Sequence, residues 1–565
     1  MQMSANIHFE VFLKKNRKAS WALTEALQDR DSAIRFAHGL LREHKDGSVR
    51  VSKEEFTDEK TFRSITVYQA GAEKFGMIKE KENEARLPCL TPDDLTKSHA
   101  RDTIRRALSS WLERKSVLPM ELLHRPDLVE DLEAAGTELQ HAVQKVAVAS
   151  ARDEGAEVHG FVKQLNDLVQ RSLTRLYKDE RNDRMRKYPS GKSFSEVAAE
   201  IHSDDGRAYA LRSAIAHKLK SAKNFGNKLD ALLDMAEELP EDEAVREFAR
   251  KEIDSYLADV IAVEGGRDAM LGQCKDLGDA IERLTCLFDG DHDAGALQMA
   301  PRAARRIAKL VENDLVPDCR TVIANNLLRD LERPARLRPS SVKEEVRMSR
   351  ELARKLVSTP DAALPTDQLL KAFTMRSARL LMPETIDDYL RYSADANEEL
   401  ERLIALEENI VGEHNKEKLA GYVRAALGAN KTEQFFVRGD LKPLERLSLL
   451  TAHQTRVAKG SYPAKEKASL CASLDQLGLK ILDDTKILHM IDNGSRPALD
   501  TAQALLKLAT AGALPLGECS ADAQARALRK IKSERGMAEA QTADAREKLV
   551  QIQTMLQDLS SRKAA

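Results

Sequence analysis

Aromatic residues make up only 4% of this 565-residue chain, and its 26 glycines and 17 prolines fall below the usual shares of about 7% and 5%. A core so poor in rings is built mostly from Leu, Ala, Ile and Val. Neither GxGxxG, GxSxG nor HExxH occurs, so dinucleotide, hydrolase-elbow and zinc-peptidase readings lack their local motifs. The six cysteines contain no CxxC, and a chain of this length needs no disulfide staples. They are expected to be small buried hydrophobes in a reducing compartment. With a formal net charge of −2 there is no global cationic field to recruit nucleic acid or anionic lipid, so a polyanion would need a local patch. No stretch of about 18 uncharged apolar residues exists to form a membrane-spanning helix. The opening apolar run precedes Lys14, Lys15, Arg17 and Lys18, the reverse of a secretory signal, and cytoplasm is the expected compartment.

What is present divides by period. Ile7–Leu13 alternates like a strand, Trp21–His44 carries Ala22, Ala26, Ala33, Ala37 and Leu40 at helical spacing, and Ser48–Phe56 and Phe62–Gln69 are β-branched and aromatic runs around a five-residue polar loop. The expectation is a βαββ module over residues 1–72, followed by a linker over 73–97 that contains Pro88 and Pro92. If the Ile7 or Thr66 strand lies at the sheet edge, it is placed to accept an added strand. From residue 98 the period is helical throughout. The fold class is therefore mainly α, a multi-helix bundle or irregular helical array preceded by a small N-terminal α+β module. We divide the helical part into a middle domain (98–332), a Pro/Arg linker (333–341), a C-terminal domain (342–519) and a last helix with coiled-coil character (520–565). Helices are expected over 120–153, 156–186 and 194–222, among others, and no fixed repeat is evident.

Four features bear on function. Leu549, Ile552, Leu556 and Leu559 follow the a/d spacing of a coiled coil, which suits either docking to a partner or packing on the chain's own bundle. Arg175, Lys178, Arg181, Arg184, Arg186 and Lys187 form a basic stripe at near-helical spacing that suits phosphate contacts. Arg329, Arg333, Arg336, Arg338 and Lys343 make a second cluster. Basic residues dominate 171–228 and acidic ones 229–264, so the alternative to polyanion binding is that the basic segment is solvated or pairs with the acidic one within the protein or across a dimer.

The third feature is Asp289-Gly290-Asp291-His292-Asp293. It fails the calcium-loop pattern at Ala294 and Ala300 and reads first as a polar turn. Its His292-Asp293 pair, joined by His202 or His217 and by Asp330, would be the centre of a metal-dependent phosphohydrolase. Fourth, Ser190-Gly191-Lys192-Ser193 ends like a phosphate loop, but Arg186 stands where the first glycine belongs, and it reads as a turn. Glu344-Glu345 and Glu407-Glu408 read as solvated faces. Together these features favour a non-catalytic cytoplasmic interaction, scaffold or regulatory protein that binds a protein partner or itself. Neither a cofactor nor a metal is expected, and nucleic-acid or nucleotide binding is the first alternative.

Overall fold

The computed structural model describes residues 7–15, 19, 21–44, 47–58, 61–71, 89–155, 157–358, 361–493, 496–540 and 545–564. At the N-terminus β1 (Ile7–Lys14), β2 (Ala22–Leu27), β3 (Ser48–Asp58) and β4 (Thr61–Gly71) form one antiparallel sheet in the order β2-β1-β3-β4. Helix α1 (Arg30–Glu43) covers one face, where Ala33, Ile34 and Ala37 meet Phe9, Val11, Val49, Val51 and Tyr68.

Residues 22–27, expected as the first turns of a helix, are instead a fourth strand, so the module is ββαββ. The helix starts only at Arg30, where the Asp29 carboxylate accepts the Ser32 N–H at 2.8 Å and caps it. β1 lies between β2 and β3 and cannot accept an added strand; the edges are β2 and β4. Pairing of β3 with β4 runs out to Asp58 opposite Thr61, so the hairpin loop is shorter than the five residues expected. Of the expected linker, 72–88 lies outside the described residues, and Pro92–Thr96 is an ordered 3-10 turn.

Beyond the module the fold is helical. Contacts divide the chain into two compact units, Met1–Ser341 with Leu356–Leu369, and Val342–Lys355 with Leu370–Ala565. Among the described residues, no helix is long and apolar enough to cross a membrane.

In the first unit, helix Glu243–Ala262 packs against Pro317–Glu332 and Phe225–Glu237 and is buried along most of its length. It carries three buried carboxylates, each with a structural partner. Glu252 takes two bonds from Arg212, joining the acidic segment to the basic one. Asp259 accepts Arg101 Nε at 2.7 Å and the Met120 N–H at 3.0 Å. Asp254 accepts the N–H groups of Asp318 at 2.8 Å and Cys319 at 2.9 Å, capping Pro317–Glu332 from another helix.

Burial pushes the Asp254 carboxyl from its ordinary 3.8 up to about 7; nearby Asp318 adds to this, while the two N–H groups and Arg250 oppose it. Between those values the folded protein holds a proton that the unfolded chain lacks, so this group's contribution to stability declines as pH rises through that window. The slope is about 1.4 kcal/mol per pH unit. Denaturant unfolding at pH 5 and pH 7 is expected to show this decline in the native protein and to show it largely removed in Asp254→Asn; equal slopes in the two proteins would refute the assignment.

The second unit repeats the device. Asp475, in helix Ala464–Thr485, accepts the N–H groups of Glu518 at 2.5 Å and Cys519 at 3.1 Å, capping helix Glu518–Ile531. The expected single helix over 520–565 is divided. Ser533 accepts the Gly536 N–H at 3.2 Å to start a new short helix, Glu534–Glu539, and the last helix is Ala545–Ala564, packed on Ala498–Thr510. Residues 541–544 lie outside the described residues. Cys286, Cys319 and Cys519 are buried, while Cys89, Cys274 and Cys471 are half-buried. Glu345 and Glu407 are buried rather than solvated, and Glu407 accepts bonds from Lys416 and from the Ser461 N–H.

Candidate functional site

Three amphipathic helices of the first unit bring their apolar stripes together incompletely. Ala100 and Ile104 on Ser98–Ala107, Ala142 and Val146 on Glu138–Glu154, and Phe161 and Leu165 on Val158–Arg181 recur at i, i+4 spacing and face one cavity of about 370 Å³. Alanines on two of the three stripes are too short to fill the space between the helix axes. The volume falls in the range of about 300–1,000 Å³ typical of small-molecule sites.

The chain that leads into the first of these helices adds Cys89, Leu90 and Leu95 to the lining. The Asp94 carboxylate accepts the N–H groups of Leu90 at 2.9 Å and Thr91 at 2.8 Å, folding the turn back on itself. The Lys97 ammonium and these N–H groups hold that carboxyl far below its usual range. Arg171 Nη2 donates to the Leu90 carbonyl at 2.9 Å, and Arg175 pairs with Asp93 at 2.6 Å, tying the turn to Val158–Arg181.

The cavity has a polar fringe of Cys89, His99, Arg106, Lys145, Asp167 and Arg171. Cys89 Sγ lies 3.7 Å from His99 Nε2, a contact that invites comparison with a nucleophile and its base. Burial, with Asp94 nearby, pushes the Cys89 thiol up, whereas a nucleophilic cysteine needs its pKa lowered. Lys145 is exposed and makes no ion pair among the described residues, so the fringe is cationic on balance.

None of the residues singled out from the sequence lines this cavity. The basic stripe is interrupted because its helix ends at Arg181. Asp183 adopts φ 52°, and the N–H groups of Asp183 and Arg184 return to the carbonyls of Glu180 at 3.1 Å and Asp179 at 2.9 Å, a Schellman closure. The expected helix to 186 therefore stops five residues early, and Arg184, Arg186 and Lys187 leave the helical face. Arg175 also lies over the Tyr209 ring at 4.8 Å, and Arg186 pairs with Asp204 at 2.7 Å. Lys178, Arg181 and Lys187 are exposed.

In the second basic cluster, Arg338 pairs with Asp276 and Glu282, Arg333 pairs with Asp330, and Arg329 donates to Asn326. These bonds hold the proline-rich segment onto its own unit.

His292 meets Glu312 at 3.0 Å and Asp293 at 3.5 Å, but not the partners imagined for a metal centre. Gly290 ends its helix at φ 72°, and a side chain there would strike the Glu312 backbone, so the string serves as a tight turn against that residue. His202 bonds Arg207, His217 Nδ1 accepts the Tyr188 N–H, and Asp330 pairs with Arg267 and Arg333. Among the described residues, no three His, Cys, Asp or Glu side chains are placed to hold a metal. The Ser190–Ser193 string starts a helix: Ser193 and Glu196 form a reciprocal capping box.

A docking seam would present all four of its side chains outward, but Ile552 and Leu559 are buried in the second unit's core and Leu549 and Leu556 are half-buried against it. Comparison with protein-family models, curated proteins and solved structures gives no match.

Proposed function

We propose that this is a non-catalytic cytoplasmic binding protein of the interaction or regulatory kind, and that its ligand in the first unit is an elongated apolar or amphipathic small molecule. The observation that carries this reading is the cavity of about 370 Å³ walled by three apolar helix stripes with cations at its fringe. Such a lining favours ligands by area removed from water, about 25 cal/mol per Å², and offers little preorganised acid–base chemistry. Ion pairs elsewhere in the first unit agree with it. Arg101–Asp259, Arg212–Glu252 and Lys228–Glu121 each join one helix to another and are engaged in holding the fold.

The test is titration of the full chain with an environment-sensitive apolar dye, followed by displacement with fatty acids of increasing chain length. The native protein is expected to bind and to prefer longer chains. Val146→Trp, which fills the cavity, should abolish binding, and Leu165→Gln, which adds polarity at a half-buried wall position, should weaken it about tenfold. Dye uptake unaffected by either variant, or none in the native protein, would sink the reading.

A further inference from the structure

A second cavity, in the other unit, has the opposite chemistry. It measures about 190 Å³ and lies between helix Val342–Ser358, helix Thr366–Leu380 and the turn at 408–411. Arg350 and Arg354 come from the first helix, Arg376 from the second, and Glu408 is the one carboxylate in the lining among the described residues, which gives those residues a formal charge of +2. Arg350 is joined to Glu408 at 2.9 Å. Arg354 is exposed and pairs with no carboxylate among the described residues, while Arg376 is only 4% exposed.

Two serines line the same cavity. Ser377, 2% exposed, accepts the Val411 N–H at 2.8 Å and keeps its own proton to donate. Ser349, 7% exposed, makes no hydrogen bond among the described residues. Two serines inside helices would ordinarily bond the carbonyl four residues back, and neither does so here.

We propose that this cavity binds a phosphate dianion, either free or as a phosphomonoester small enough to enter it. Guanidinium groups match phosphate oxygens with forked hydrogen bonds, and the two serine hydroxyls supply donors for the remaining oxygens. A monocarboxylate carries one charge and two oxygens, a poorer match to the cationic lining than a dianion with three. The site is independent of the apolar cavity in the first unit, and nothing in that reading is needed for it.

Calorimetric titration of the full chain, at fixed ionic strength, with inorganic phosphate, free phosphoserine and acetate tests the proposal. Phosphate or phosphoserine is expected to bind at least tenfold more tightly than acetate; the tighter of the two identifies free phosphate or a phosphomonoester as the ligand. Arg354→Gln, an exposed change that leaves the fold intact, should weaken the preferred ligand about tenfold, and Arg376→Lys should do the same if it folds. Lys459→Gln, an exposed charge loss elsewhere in this unit, should change nothing. Acetate binding as well as phosphate, or Arg354→Gln and Lys459→Gln behaving alike, would overturn it.

Discussion

Replacing Glu121 by alanine is expected to remove about 3–5 kcal/mol of stability. Glu121 is fully buried, and among the described residues it alone pairs with the Lys228 ammonium, itself 3% exposed, while accepting the Leu118 N–H at 3.0 Å. The variant strands a cation and an N–H in a dry interior. Arg125, also 3.4 Å from Glu121, keeps its partner Asp127 and suffers less. Burial already lowers the Lys228 pKa against the pull of Glu121, so loss of the carboxylate should drive the lysine toward its neutral form. The double variant Glu121→Met, Lys228→Met puts apolar volume in place of both charges and should recover more than half of the loss. Denaturant unfolding of the two proteins decides the matter: a double variant as unstable as the single one would refute the assignment of the cost to an unpaired charge.

Trp111→Ala is expected to cost a similar amount, about 3–5 kcal/mol. The indole is wholly buried in a cluster with Leu108, Leu112, Val117, Leu128 and Leu176. Leu108 also lines the apolar cavity, so the void left by the indole opens beside that site. The truncated protein should therefore be less stable and should bind the apolar dye with altered affinity. Trp111→Phe should cost less than half as much. The indole N–H is buried with no hydrogen-bond partner among the described residues, and its removal takes away that donor along with some packing. Equal losses for Ala and Phe would show that ring volume does not govern stability at this position.

The apolar cavity illustrates why a functional region can be unreadable in a sequence. Ala142 and Val146, or Phe161 and Leu165, have the spacing of any core-facing helix, and nothing in one stripe tells whether its neighbour fills the space opposite. Similarly, the arginines at 333 and 338 look like a polyanion patch until Asp330, Asp276 and Glu282 are seen beside them. Ser349 and Ser377 carry no signal at all until two helices bring them to one cavity.

By itself the sequence determined the mainly helical class and the change of grammar after the opening module, because period and propensity act locally and need no partner. Tertiary structure decided the rest. Ala22–Leu27 became a strand because β1 offered a ladder that overrode the helical preference of its Ala, Leu and Glu residues. Likewise, whether Leu549, Ile552, Leu556 and Leu559 face a partner or their own core, and which charges end up paired, depends on residues tens to hundreds of positions away. Burial and electrostatics are properties of neighbourhoods, and neighbourhoods form only when the chain has packed.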